Sequence, residues 1–341
     1  MNKFVKSCLA GCLLALSVQG ISAQAAAGDY SYYSYGNTGN VSAVTSYGIN
    51  LMGGGTDVDE AMLWMARKAN RGDFVVIRTS GTDGYNQYLY DLAQTNNAKL
   101  DSVETILLNN RYASSDSFVL DKVSKAEAVF FAGGDQFNYT DFIKNTPLED
   151  VINQLIQKNV PIGGTSAGLA IQGEFIYDAK NGSVYSDEAL NNPNNRYMTF
   201  TRDFLANRYL TSTITDSHFE QRDRMGRFIG FLSRNVSDGW TSQAKGIAVN
   251  EQTALLVESD GTAKVVAQPG GTKQSVYAAR TSSAPSSGYG NALTIRDVNV
   301  IKLRPGNTFN LQTWSSSNGY SYKLSSQNGV LTSSSGSLYG N

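Results

Sequence analysis

Val160-Pro161-Ile162-Gly163-Gly164-Thr165-Ser166-Ala167-Gly168-Leu169 is the stretch on which the fold of this chain turns. A short apolar run enters a glycine-flanked turn, and a second apolar segment, Leu169-Ala170-Ile171, leaves it. Gly164-x-Ser166-x-Gly168 fits the G-x-S-x-G nucleophile elbow, a strained strand-to-helix turn that exposes a serine hydroxyl and needs glycines to make room for its backbone. Free N–H groups at the start of the following helix would face negative charge developing on a substrate carbonyl. A chain with 33 glycines also makes ordinary Gly/Ser turns. Five residues leave both readings open, and the flanking sequence has to separate them.

Upstream, short apolar runs alternate with helical periodicity. Ile49-Asn50-Leu51-Met52, Phe74-Val75-Val76-Ile77, residues 103–108, Ala128-Val129-Phe130-Phe131 and residues 160–163 read as buried strands. Between them, residues 57–70, 87–95, 118–125 and 140–158 read as helices. In the first, Ala61, Met62, Met65, Ala66 and Ala69 share a face, with Thr56 or Asp57 at the N-cap; in the last, Val151, Leu155 and Ile156 do. This alternation predicts a parallel sheet with helices on both faces. Ligands of such sheets bind beyond the carboxyl ends of the strands. Gly53-Gly54-Gly55, Gly133-Gly134 and Gly163-Gly164 all follow or end strands, which puts three close-approach loops on one rim.

Downstream, residues 177–195 are polar and loop-like, with Asn191-Asn192-Pro193-Asn194-Asn195 as a breaker cluster. Residues 200–210 and 221–234 read as helices, the second with Met225, Phe228, Ile229 and Leu232 on its apolar face. Gly246-Ile247-Ala248-Val249 and Ala254-Leu255-Leu256-Val257 read as paired strands around Asn250-Glu251-Gln252-Thr253. Further candidate strands lie at 263–267, 275–279 and 299–303, and the Ser/Gly/Asn-rich end from 315 to 341 is either a weak strand pair or a flexible end. The expected layout is an export signal at 1–27, a Tyr/Gly/Ser-rich surface arm at 28–45, a catalytic α/β domain at 46–311 and a tail at 312–341.

The export signal rests on Lys3 and Lys6, an uncharged, mostly apolar run at 8–18 and small residues at 22–27. The apolar run falls short of the ~20 residues a membrane span needs. Leu9-Ala10-Gly11-Cys12 resembles a lipoprotein box, but much of the apolar run follows Cys12, so full cleavage is the better reading. The expected location is secreted or periplasmic, without membrane attachment after cleavage. Both cysteines, Cys8 and Cys12, fall in this segment. A mature chain without cysteine has no disulfide scaffold, thiol nucleophile or thiolate metal site.

Length and charge bound the rest. With 341 residues the chain can bury a sizeable core. Its 28 Lys+Arg against 29 Asp+Glu remove the main electrostatic argument for a nucleic-acid or membrane-surface partner. The glycines at 53–55 fail as a dinucleotide fingerprint, because Val58 stands where a further glycine is needed, and Asp57, Asp59 and Glu60 would repel a pyrophosphate. One histidine and scattered carboxylates make no metal motif. No cofactor and no metal are expected.

A serine hydroxyl needs a base at neutral pH, and His218 is the sole imidazole. Candidates for the orienting carboxylate are Asp216, Glu220, Asp238 and Glu251. Asp216 stands two residues from the histidine; Glu251 stands in a turn between two strands. An α/β-hydrolase would run serine, acid, histidine, with a long segment before the histidine. The order here disfavours that fold. The oxyanion donors would be the N–H of Ala167 and one from Gly133 or Gly134, and losing one such donor costs on the order of 10²–10³ in rate.

Three motifs together resemble the cyanophycinase branch of the peptidase E serine peptidases. They are Phe131-Ala132-Gly133-Gly134-Asp135-Gln136, then Gly163-Gly164-Thr165-Ser166-Ala167-Gly168, then Asp216-Ser217-His218-Phe219-x-x-Arg222-x-Arg224-x-x-Arg227. Residues 246–254 are similar to that branch's segment with the acid of its triad, and the resemblance runs over roughly residues 48–311. It implies a class I glutamine-amidotransferase-like α/β/α three-layer sandwich with a mainly parallel sheet, here with a strand-rich C-terminal extension. It also implies Ser166 as nucleophile, His218 as base and Glu251 as orienting acid, with Asp135 and Gln136 lining the substrate pocket. Asn250 stands where the branch often has aspartate, residues 181–195 read as an insertion, and the tail beyond 315 has no counterpart.

Between residues 202 and 234 there are six arginines and no lysine. Guanidinium forks bind carboxylates bidentately, which suits an aspartate-rich chain or a terminal carboxylate. Arg222 and Arg224, with Asp216, are expected to contact substrate; most of the six are expected on a solvated helix face, paired with Glu220 and Asp223. The resemblance implies a peptide or polymer substrate, β-aspartyl-arginine units of a poly-aspartate polymer. A homodimer is compatible with the sequence.

Overall fold

Five strands lie parallel and side by side: Ser102–Leu108, Asp73–Arg78, Ala128–Phe131, Ile162–Thr165 and Ile49–Met52. They form the centre of a nine-stranded sheet in a computed structural model that describes residues 28–286 and 290–340. The export signal read at 1–27 lies outside the described residues. Side chains alternate along each strand, so Val75, Ile77, Val129 and Phe131 enter one core and Phe74, Val76, Ala128 and Phe130 the other. Helices Asp59–Ala69 and Asn86–Thr95 cover the second face; Ser117–Ser124, Gln136–Ile143 and Pro147–Gln157 cover the first. This is the α/β/α sandwich expected. Phe74, Phe130 and Phe131 are fully buried, each contributing about 1.5–3 kcal/mol.

Strand register sets the site. Ile77 is level with Phe131, Phe131 with Gly164, and Met52 with Thr165. Gly53, Ala132-Gly133 and Ser166 therefore leave the sheet at one height, on one rim.

Beyond the parallel centre the sheet continues antiparallel through Thr253–Val257, Thr262–Ala267 and Thr308–Asn310. A second, eight-stranded sheet holds Phe175–Tyr177, Phe200–Arg202, Thr213–Asp216, Lys245–Val249, Val276–Arg280, Ile295–Leu303, Tyr320–Gln327 and Val330–Ser333. Helix Met225–Ser237 packs on it through Phe228, Ile229, Phe231 and Leu232.

Several expectations are corrected. Lys245–Val249 and Thr253–Val257 do not pair: the first belongs to the second sheet and the second to the first. The turn between them crosses from one sheet to the other, which a pattern of two adjacent apolar runs cannot reveal. Residues 200–210 contain the short strand Phe200–Arg202, not a helix. The helix read over 140–158 is two, because Asn145 is left-handed (φ 57°) and Pro147 opens a new helix. Helix Asp59–Ala69 starts after Val58 with no side-chain cap, since Asp57 turns to Tyr85 instead. Within the Tyr-rich arm, Tyr30–Gly36 is an edge strand against Ser102–Leu108. The tail contains a paired strand set, and Tyr339 donates to Asp223 at 2.7 Å.

Candidate active site

Ser166 sits between strand Ile162–Thr165 and the one-turn helix Ala167–Ala170, with φ 54° and ψ −113°. A non-glycine residue in that region is strained, and the surroundings hold it there. Its N–H donates to Met52 O at 3.1 Å, and its carbonyl accepts from Leu169 and Ala170 at 3.1 and 3.0 Å. The glycines of the motif are steric requirements. A Cβ at Gly164 would stand 2.4 Å from the Gly168 carbonyl carbon, and one at Gly168 would stand 2.0 Å from Phe131 O.

His218 follows strand Thr213–Asp216 in a left-handed conformation (φ 45°), tied by its N–H to Gly53 O at 2.8 Å. Its Nε2 is 2.6 Å from Ser166 Oγ, and its Nδ1 is 2.6 Å from Glu251 Oε1. Glu251 occupies the sheet-crossing turn. That turn is held by Gln252 N–H donating to Gly54 O at 2.9 Å and Glu251 N–H to Gln221 Oε1 at 3.2 Å. Asn250, beside it, is bonded reciprocally to Glu220: its Oδ1 accepts from the Glu220 N–H at 3.0 Å and its Nδ2 donates to Glu220 Oε1 at 2.8 Å. The acid's turn and the histidine's loop are thereby locked together.

Among the four candidate carboxylates, Glu251 reaches the imidazole. Asp216 faces the other way and accepts from Arg227 Nε at 2.9 Å and Nη2 at 2.5 Å, and from Arg224 Nη1 at 3.5 Å. Burial would raise the Asp216 pKa, but the guanidiniums of Arg227 and Arg224 outweigh it and hold the carboxyl below its usual range. Burial also lowers Arg224, to about 10, against the opposing pull of Asp216. Burial depresses His218 as well, assisted by repulsion from Arg222 and Arg224 and opposed by the hydrogen bond to Glu251. A neutral imidazole whose Nδ1–H donates to Glu251 leaves a lone pair on Nε2 facing the serine.

The cavity at this rim has a volume of about 310 Å³. Ser166, His218, Gly134, Asp135, Gln136, Asp216, Arg222 and Arg224 all line it, so the expected site residues converge. Asp135 caps helix Gln136–Ile143, accepting from Phe137 N–H at 2.9 Å, and Gln136 Nε2 approaches Tyr177 O at 3.5 Å. Gly133 lies against the serine, its imagined Cβ 3.6 Å from Ser166 Cβ. Ala167 N–H is first in its helix and has no carbonyl partner within it, which leaves it free to serve as a donor.

Three features escaped the sequence reading. Arg227 is 4% exposed and lines the cavity, where it fixes Asp216 instead of facing water. Glu220 and Asp223 bond Asn250 and Tyr339, not arginines. The glycines at 53–55, which fail every phosphate motif, shape the space under His218 and Glu251. A Cβ at Gly54 would stand 2.4 Å from the imidazole, and one at Gly55 would stand 3.2 Å from Glu251 Cβ.

The sequence pattern of Peptidase family S51 matches residues 52–265. A curated relative named cyanophycinase, from Synechococcus elongatus, is 27% identical over 219 residues, covering 62% of this chain and 61% of that protein. Another cyanophycinase, from Trichormus variabilis, is 26% identical over 212 residues, 62% of this chain and 66% of the relative. The chain thus spans a little under two thirds of the length of these curated relatives. The crystal structure of a peptidase from an acI-B1 Actinobacterium shares the fold with a TM-score of 0.50 at 15% identity, over 78% of this chain and 98% of that one.

Proposed function

The chain belongs to peptidase family S51, and from that premise we propose that it is an exported serine exopeptidase of the cyanophycinase type, acting on a poly-aspartate/arginine polymer and releasing β-Asp-Arg dipeptides. The observation that carries the reading is the continuous chain Ser166 Oγ, His218 Nε2, His218 Nδ1, Glu251 Oε1, with both contacts at 2.6 Å. Export is proposed from the charged, apolar and small-residue pattern at 1–27.

In this mechanism His218 Nε2 takes the Ser166 proton as Oγ attacks the scissile carbonyl carbon. The tetrahedral oxyanion sits between the N–H of Ala167 and that of Gly133 or Gly134. Glu251 holds the Nδ1–H tautomer and stabilises the imidazolium. His218 then gives its proton to the leaving amine, the C–N bond breaks, and an ester on Ser166 remains. Water, deprotonated by His218, attacks that ester; the carboxylate product leaves and Oγ recovers the proton. Arg222 and Arg224 offer cationic forks at the cavity mouth for a substrate carboxylate, while Asp216 and Arg227 fix the wall behind them.

A fluorophosphonate probe tests the nucleophile: labelling of wild type and not of Ser166→Ala is expected. Absence of labelling together with absence of hydrolysis would leave a binding protein that keeps the fold. Purified cyanophycin, set against short aspartyl and isoaspartyl peptides, tests the substrate; β-Asp-Arg as the released product is expected, and turnover of the short peptides alone would make the chain a dipeptidase.

A further inference from the structure

Away from the catalytic rim, the second sheet carries a row of directly opposed residues across four strands. Lys245 pairs with Arg280, Arg280 with Asn299, and Asn299 with Lys323. Opposed residues share a face of a sheet, and neighbouring strands lie about 4.7–4.9 Å apart, so these heads form a ribbon roughly 14 Å long. The next row on that face, Ile247, Ala278, Ile301 and Ser321, is mostly apolar. Over the Arg280, Asn299 and Lys323 part of the first row lies a cleft of about 470 Å³, also lined by Ile301, Trp314 and Ser321; Lys245 stands outside that lining, its Nζ over the Trp314 ring.

Lys245 and Arg280 lack the compensation a folded protein ordinarily provides. Like charges directly opposite on adjacent strands are destabilising. Neither Lys245 nor Arg280 has an ion pair or side-chain hydrogen bond among the described residues; Glu174 favours the charged form of Lys245 without bonding it. Both are half-buried. Lys245 Nζ lies 5.2 Å from the Trp314 ring centre, and the Trp314 indole N–H is buried with no partner among the described residues. Among the described residues the Lys323 ammonium is engaged only by Asp297, at 3.3 Å, in an exposed pair that is readily exchanged. The polar groups of the cleft are thus mainly donors: guanidinium, ammonium, amide and hydroxyl.

We propose that this cleft is a secondary binding site for a carboxylate-rich peptide chain, laid across the strands with its carboxylates on Arg280 and Lys323 and its remainder on Ile301, while Lys245 adds positive charge from beside Trp314. Guanidinium and ammonium groups pair well with carboxylate oxygens, and the half-burial of Arg280 strengthens that pairing over a surface contact. A nucleic acid fits less well: Trp314 is 6% exposed, so it offers no face for base stacking. The polymer of the proposed function carries one free carboxylate per β-aspartyl-arginine unit, on the arginine, and a run of these would meet the row; that the site holds the polymer between successive cleavages rests on the reading of a polymeric substrate given above.

The test uses the full-length chain carrying Ser166→Ala and labelled α-linked poly-L-aspartate, read by anisotropy. Because this probe reports binding alone, its outcome is separate from whether Ser166 is the nucleophile. The double substitution Arg280→Gln/Lys323→Gln, within the cleft, is expected to weaken binding about tenfold or more, and Lys245→Gln, beside it, about threefold. In the active enzyme the double substitution should leave hydrolysis of a short peptide within about twofold, since no catalytic side chain is touched. Relief of the opposed charges should also keep or raise its melting temperature in low salt. Unchanged polymer affinity in both variants would overturn the proposal. So would equal competition by free aspartate at matched carboxylate concentration, which would make the cleft a small-ion site.

Discussion

Gly54 lies directly under the imidazole of His218: a Cβ placed there would stand 2.4 Å from Cε1 and 2.6 Å from Nε2. Its φ of +97° adds a backbone reason for glycine. Gly54→Ala should give a folded protein whose kcat falls by about 10²-fold or more, because the displaced ring no longer meets Ser166 Oγ. Circular dichroism with fluorophosphonate labelling checks it. Near-normal labelling would mean the ring tolerates the methyl group and the close approach has no catalytic consequence.

The two carboxylates near the histidine have different duties and should separate by substitution. Glu251→Gln should lower kcat by roughly 10³–10⁴, by losing the tautomer-fixing acceptor. Asp216→Asn should instead destabilise the fold by about 3 kcal/mol, because the buried Arg227 loses its counter-charge. Urea melts and kinetics on the same two proteins test the pair; the reverse pattern would reassign the acid.

His218 titrates below its ordinary 6.5, chiefly through burial and then through Arg222 and Arg224. Protonated imidazole cannot accept the serine proton, so kcat/KM should rise with pH along an acid limb whose midpoint lies below 6.5. Arg222→Ala removes one repelling cation and should move that midpoint upward. The linkage has a definite sign. The unfolded chain binds this proton more readily, so the histidine's contribution to stability is complete above 6.5 and declines as pH falls toward the folded-state value. A midpoint unmoved by Arg222→Ala would remove the arginine from the imidazole's electrostatics.

Asp57 has no catalytic duty in the proposed mechanism. Burial pushes its pKa to about 6 against the hydrogen bond from Tyr85, and its Oδ1 has no partner among the described residues. The folded state therefore favours the neutral acid, and ionisation between pH 3.8 and about 6 works against folding. With a pKa unit equal to about 1.4 kcal/mol, and solvent screening of a partly exposed side chain, Asp57→Asn should stabilise the protein by about 1–2 kcal/mol at neutral pH. The gain should vanish near pH 4, which melts at the two pH values would reveal. A loss at neutral pH would mean the charged carboxylate is held by the native structure.

The parallel sheet was legible because its strands and helices have different periods. Apolar runs ending in glycine mark strands that leave one rim, and the spacing of Ala61, Met62, Met65, Ala66 and Ala69 marks the face of a helix. Ser166 was legible because a serine elbow demands glycine on both sides, and His218 because no other imidazole exists. The choice of Glu251 over Asp216, Glu220 and Asp238 was not available from the residues themselves; resemblance pointed to it, and geometry distinguishes it.

What the sequence determined by itself was local: periodicity, turn chemistry, and the identity of the groups able to attack and to accept a proton. Tertiary structure decided which of those groups meet. Asn250-Glu251-Gln252 reads as a hairpin turn, yet its flanking strands enter different sheets, because each finds its hydrogen-bond partners in strands distant along the chain. That crossing carries Glu251 to His218. The same long-range pairing aligns Lys245, Arg280, Asn299 and Lys323 from four separate strands, a row that registry creates and no linear motif contains.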